Sequence, residues 1–212
     1  MKKQNPTLHT TFDFSGNDLD ELLNQFSIPM RNHSRRVAVC SSIMAEYAKE
    51  LLHLHNISVG ANFALIAHLG GTCHDIGKLL IPVLGTKVKD YLRHPSLGEE
   101  LLSKIYKAMF DNKIQAQMVL DTIRHHHERP DGKGFPDSLQ SKEISLNAGI
   151  CAVANELDHS LYLREPCNGI ETVKGYIKEQ AGILYCETAV ICLERAWPAL
   201  LEQYAKWNIP LT

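Results

Sequence analysis

The sequence predicts an all-α protein, a single-domain bundle of about seven to nine helices. Two observations carry this. Apolar residues recur at three- and four-residue spacing in almost every patterned stretch. No run of alternating β-branched residues bounded by turns occurs. The length, 212 residues of which 44% are hydrophobic, suits one sizeable core.

Each element follows in order. Residues 17–26 form a short amphipathic helix with Leu19, Leu22, Leu23 and Phe26 on one side. Pro29 suits the first turn of a long helix over 30–55, which carries Val37, Val39, Ile43, Met44, Tyr47, Leu51 and Leu52. A third helix runs over 62–80 and stops before Pro82, and Pro95 opens another through Leu101, Leu102 and Ile105. The next spans 111–128 and ends at Pro130 and the Gly132/Gly134 loop. Helices over 144–163 and 171–181 follow, Gly182 stopping the second, and the last covers 186–207 with Pro198 as the expected bend. Residues 1–15, polar and bearing Pro6, read as a flexible tail, and 16–212 as the helical domain.

Bulk properties exclude several classes. A net charge of −2 with both signs interspersed is not that of a general DNA or RNA binder. The start, Met1-Lys2-Lys3, leads into polar residues, so no signal peptide is expected. No stretch approaches the roughly 18 apolar residues of a membrane span. The expectation is a cytoplasmic protein without membrane contact. Six cysteines, none in a Cys-x-x-Cys pair and most in apolar surroundings, read as reduced and buried.

The chemistry lies in the histidines. His74-Asp75-Ile76-Gly77-Lys78 ends the third helix, and continued helix would put His74, Asp75 and Lys78 on one face. Imidazole and carboxylate suit divalent metals, and the ammonium suits a phosphate or a departing oxygen. The approach, Phe63 to Ala67 and then Gly70-Gly71, is apolar and small, so Asp75 sits at the buried end of a core helix, where an unpaired carboxylate is costly. His125-His126-His127 end another core helix. Adjacent positions are about 100° apart, so two of the three can address one site while the third points elsewhere. His33 lies in the long helix and His94 just before Pro95, whereas His9, His53, His55, His68 and His159 read as surface or packing residues. The loop that follows, Glu128 to Pro136, has two glycines and two prolines, a rigid backbone-rich build. Its Arg129, Lys133 and Phe135 are groups suited to an anionic nucleotide.

Taken in order, these residues resemble the HD superfamily of metal-dependent phosphohydrolases, and within it the HD-GYP branch. That branch is marked by His-Asp-x-x-Lys and, downstream, His-His-Glu-x-x-Asp-Gly-x-Gly-Tyr-Pro. Here they read His74-Asp75-Ile76-Gly77-Lys78 and His126-His127-Glu128-Arg129-Pro130-Asp131-Gly132-Lys133-Gly134-Phe135-Pro136, with Phe135 for Tyr. The likeness extends to His33-Ser34-Arg35-Arg36-Val37-Ala38, to Ile81-Pro82, to His94-Pro95-Ser96-Leu97-Gly98-Glu99 and to Ala152 through Asp158, covering roughly 30–185.

The resemblance implies hydrolysis of cyclic di-GMP, to the linear dinucleotide or to GMP, with two divalent ions, iron or manganese. It places one ion on His33, His74 and Asp75, and the second on Asp75, His94, His126 and His127. Lys78 and Asp75 become the catalytic pair, and Arg129, Asp131, Lys133 and Phe135 the substrate contacts. Four departures stand out. Asn155 occupies the place of a further ligand carboxylate, with Asp158 one turn later. Pro29 replaces a glutamate, Phe135 lacks a hydroxyl, and the segment between Pro82 and His94 is short. Two alternatives accompany this reading: a superfamily phosphohydrolase acting on another cyclic dinucleotide or a nucleoside phosphate, and a catalytically weak nucleotide-binding signalling module. The partner implied besides substrate is a second copy, forming a homodimer, or a separate regulatory protein.

Overall fold

The computed structural model describes residues 18–54, 62–81, 88–105, 112–162 and 169–207. The tail over 1–15, the segment 82–87, His9, His55, Cys167 and the side chain of His53 lie outside the described residues. Within them the chain is helical and contains no strand, in agreement with the all-α expectation. The helices are α1 (Asp18–Asn24), α2 (Ile28–Leu54), α3 (Phe63–Cys73), α4 (Val88–Tyr91), α5 (His94–Ile105), α6 (Lys113–His125), α7 (Leu146–Tyr162), α8 (Ile170–Glu179) and α9 (Glu187–Lys206).

Two apolar clusters hold them together. The larger joins α2, α3, α7, α8 and α9 through residues such as Val37, Met44, Phe63, Ile150, Leu157, Ile177, Leu193 and Leu200. The smaller joins α1, α3, α5 and α6 through Leu22, Ile66, Leu102, Val119 and Ile123. α3 serves both, which explains its apolar composition on all sides. It also approaches its neighbours closely. A Cβ on Gly71 would lie 2.8 Å from the Ala38 Cα of α2, and one on Gly70 would lie 2.6 Å from the Thr122 side chain of α6.

The helix expected over 62–80 is divided, and this is the main correction. α3 ends at Cys73, and after Asp75 the chain continues as a 3₁₀ turn over Ile76–Leu80. Packing overrides the helical period here. Ile76 is fully buried in the smaller cluster, and a Cβ on Gly77 would overlap the His94 carbonyl oxygen, so the chain leaves its helix to seat on α5. Two boundaries also shift. The Asn112 side chain accepts from the Ile114 and Gln115 amides as an N-cap, so α6 starts at Lys113. It stops at His125, with His126 as the C-cap. α9 continues as helix through Pro198, and Gly182, at φ +76°, turns the chain after α8. Cys40, Cys73, Cys151, Cys186 and Cys192 are free, and burial pushes the Cys40 and Cys73 thiols up to about 12.

Candidate metal centre

Asp75 is the hub of a buried cluster supplied by α2, the end of α3, the start of α5 and the end of α6. Its Oδ2 lies 3.6 Å from His33 Nε2 and 3.3 Å from His74 Nε2. Its Oδ1 lies 3.2 Å from His94 Nε2 and 3.9 Å from His126 Nε2. His127 joins the second side: donor atoms of Asp75, His94, His126 and His127 all fall within 4.8 Å of one another, as do those of His33, His74 and Asp75. The third member of the histidine run points away, His125 meeting Asp121 at 2.7 Å and Asp137 at 2.9 Å.

The other ring nitrogen of each histidine explains its aim. His74 Nδ1 donates to the Gly71 carbonyl at 2.8 Å, His94 Nδ1 to the Tyr91 carbonyl at 2.7 Å, and His126 Nδ1 to the Ile123 carbonyl at 2.8 Å. A carbonyl only accepts, so Nδ1 carries the proton and Nε2 presents a lone pair to the centre. His33 is anchored differently. Its Nδ1 donates to Asp158 Oδ2 at 2.6 Å, and that carboxylate, fully buried on α7, also accepts from the Arg36 guanidinium, whose Nη2 is 3.0 Å away. Arg36 in turn lies over the Tyr162 ring at 3.6 Å.

Cations fit this donor set. The lone-pair nitrogens of His94 and His126 face each other across 3.4 Å, an arrangement that repels unless positive charge lies between. Asp75 Oδ1 and His127 Nε2 are buried with no hydrogen-bond partner among the described residues. Burial would raise the Asp75 carboxyl, but the His74, His33 and His94 imidazoles hold it well below the usual carboxylate range. His126 is held well below the ordinary imidazole value by burial and by its histidine neighbours, and His127 falls to about 3 for the same reasons. Against the lowering effect of burial, Asp158 and Asp75 raise His33, which would release its second proton on acting as a ligand.

His33, His126 and His127 of the cluster line a cleft of about 460 Å³. Lys78, whose Nζ is 2.6 Å from Asp75 Oδ2, lines it together with Arg129, Lys133, Phe135 and Asn155. Burial would lower the Lys78 ammonium, but the Asp75 carboxylate raises it above its ordinary value. Phe135 stacks on His127 with centroids 4.7 Å apart and supports that ring. Asp131 is not in the wall. It clamps Arg129, Oδ1 taking Nε at 3.0 Å, and accepts from the Lys133 amide at 3.1 Å. Glu128 is buried and accepts from the Asp137 and Leu139 amides at 2.6 and 2.9 Å, which staples the loop in place.

Sequence reasoning missed several residues of this neighbourhood. Asp158 was considered only as a substitute ligand, and it stands behind His33 instead. The signal available was Arg36, one turn after His33 on the same helix face, which needs a buried acid. His159, set aside as a packing or surface residue, lines the cleft, as do Tyr91 of α4, Tyr176 of α8 and Tyr185 of the turn before α9. No motif marks the last three.

The HD domain family matches residues 30–160, and the chain belongs to that family. Its paired motifs place it in the HD-GYP branch. It is 36% identical over 149 residues to the cyclic di-GMP phosphodiesterase response regulator RpfG of Xanthomonas campestris pv. campestris, covering 65% of this chain and 38% of that protein. It is 29% identical over 160 residues to a cyclic di-GMP phosphodiesterase of Pseudomonas aeruginosa, covering 65% and 36%. Against the 3'3'-cGAMP-specific phosphodiesterase 1 of Vibrio cholerae it is 34% identical over 130 residues, covering 58% and 27%. The chain thus spans less than half the length of these relatives. Among the described residues no helix is long and apolar enough to cross a membrane.

Proposed function

We propose that this chain hydrolyses cyclic dinucleotides, with cyclic di-GMP as substrate, using two divalent cations, iron or manganese. The observation that carries the reading is the division at Asp75: each carboxylate oxygen faces its own group of imidazole Nε2 atoms. His33, His74 and Asp75, with Asn155 nearby in the wall, would hold one cation, and Asp75, His94, His126 and His127 the other. Bound there, the cations would supply Lewis acidity at phosphorus and lower the pKa of the attacking water.

The chain's own groups do the rest. Carbonyl and carboxylate anchors on Nδ1 keep the imidazoles aimed before ligands arrive. Lys78, held as an ammonium at the cleft wall, stabilises charge on the scissile phosphate and protonates the departing ribose oxygen. Arg129, pre-set by Asp131, and Lys133 take the second phosphate. Phe135 keeps His127 in place through its ring alone.

The relatives named as 3'3'-cGAMP phosphodiesterases support a second reading, with that dinucleotide as substrate. One experiment separates the readings. Protein loaded anaerobically with Fe²⁺ or Mn²⁺ is given cyclic di-GMP, 3'3'-cGAMP and cyclic di-AMP, and products are followed by chromatography. Linearisation of cyclic di-GMP, at a kcat/KM at least about tenfold above cyclic di-AMP, is expected. A preference for 3'3'-cGAMP moves the substrate, and tight binding without turnover leaves a nucleotide-binding module in which Asn155 has replaced a needed carboxylate.

A further inference from the structure

We infer that Tyr91 is a substrate-binding residue of this site: its phenolic hydroxyl, paired with the Lys78 ammonium, donates a hydrogen bond to the phosphate seated at Asp75. For its ligand the inference rests on the phosphodiesterase reading above.

Tyr91 is the last residue of α4, three positions before His94. Its backbone carbonyl anchors His94 Nδ1, but any residue has a carbonyl, so this duty does not explain the side chain. The ring is 44% exposed, lines the cleft, and tilts onto the His94 ring at 5.0 Å. Its centroid is 5.1 Å from Lys78 Nζ, within reach of a cation–π attraction that orients the ammonium. Lys78 spends one N–H on Asp75 Oδ2 and a second on the Tyr91 hydroxyl, which leaves the third for the cleft.

The same wall contains a second ring near His94. Phe135 lies 6.4 Å from it, centroid to centroid, and carries no hydroxyl. Tyr176 and Tyr185 bring theirs from α8 and the turn beyond it. Of Tyr91 and Phe135, the two rings beside His94 that are not imidazoles, Tyr91 carries the hydroxyl that can donate to an anion. A neutral O–H beside an ammonium, both facing the cleft next to Asp75, is a donor pair matched to a non-bridging phosphate oxygen. The contact is a hydrogen bond alone, with no covalent bond made or broken.

Tyr91→Phe isolates the hydroxyl, because the ring, its cation–π contact with Lys78 and the carbonyl anchor all remain while the hydroxyl's bonds to Lys78 and to phosphate are lost together. Three quantities are compared in manganese-loaded protein: metal content, affinity for inorganic phosphate by calorimetry, and kcat and KM separately on cyclic di-GMP and on bis(p-nitrophenyl) phosphate. Unchanged metal content, roughly tenfold weaker phosphate binding and a similar fall in kcat/KM on both diesters are expected, the effect of one hydrogen bond to an anion. Combined with Lys78→Ala, the loss should be smaller than the product of the two single losses. Wild-type phosphate affinity and wild-type kcat/KM in Tyr91→Phe would overturn the inference, as would a Tyr91→Ala variant whose only defect is lost metal, since Tyr91 would then merely back His94. A wild-type protein that leaves cyclic di-GMP intact, while Tyr91→Phe still weakens phosphate binding, sinks the substrate assignment and not the role of Tyr91.

Discussion

Asp158 does for His33 what backbone carbonyls do for His74, His94 and His126. It fixes the ring so that Nε2 faces Asp75, and it adds a charge that makes the imidazole more basic. Unlike a carbonyl, it can be changed. Asp158→Asn preserves size but removes the charge that Arg36 and His33 share, and its amide can turn a donor toward Nδ1. Metal affinity should fall about 10–100-fold with the helical signal intact, as measured by titration against a competing chelator. Equal affinity would detach Asp158 from the centre. This role was invisible along the chain because the two residues lie 125 positions apart. The adjacent His74 and Asp75, by contrast, announce themselves.

Elements are placed by close approach as much as by apolar stripes, and two glycines make opposite predictions. Gly71 of α3 faces the Ala38 backbone, which cannot move without shifting α2, the helix that bears His33. Gly71→Ala should therefore lower stability by about 1–3 kcal/mol, the usual cost of overpacking. Gly175, inside α8, has nothing within 4 Å of where its Cβ would be. Gly175→Ala should raise stability by about 0.5–1 kcal/mol through helix propensity alone. Denaturant unfolding of both variants checks the signs, and two changes of the same sign would contradict the packing described for α3. Sequence periodicity locates both glycines in helices, yet nothing in it distinguishes one from the other.

At the scale of the whole molecule, the proposed ligands come from elements that belong to both apolar clusters, with α3 common to the two. Cations held by the two groups would together tie α2, α3, α5 and α6 and would bind the native state alone. Manganese should raise the melting temperature in a concentration-dependent way, about 2.7 kcal/mol of stabilisation accruing at a hundred times Kd, and chelation should reverse it. Melting curves that ignore both metal and chelator would sever the cluster from metal binding.

Helical class, approximate element boundaries and the two histidine motifs were legible because each depends on residues close in sequence: apolar spacing, proline and glycine punctuation, and runs such as His74-Asp75 and His125 to His127. Tertiary structure alone decided the rest. It ended α3 at Cys73 because Ile76 and Gly77 had to seat on other elements, and it chose His126 and His127 over His125. It set Asp158 behind His33 and brought Tyr91 beside Lys78. These outcomes depend on which surfaces meet, and a local pattern carries no record of the partner it will meet.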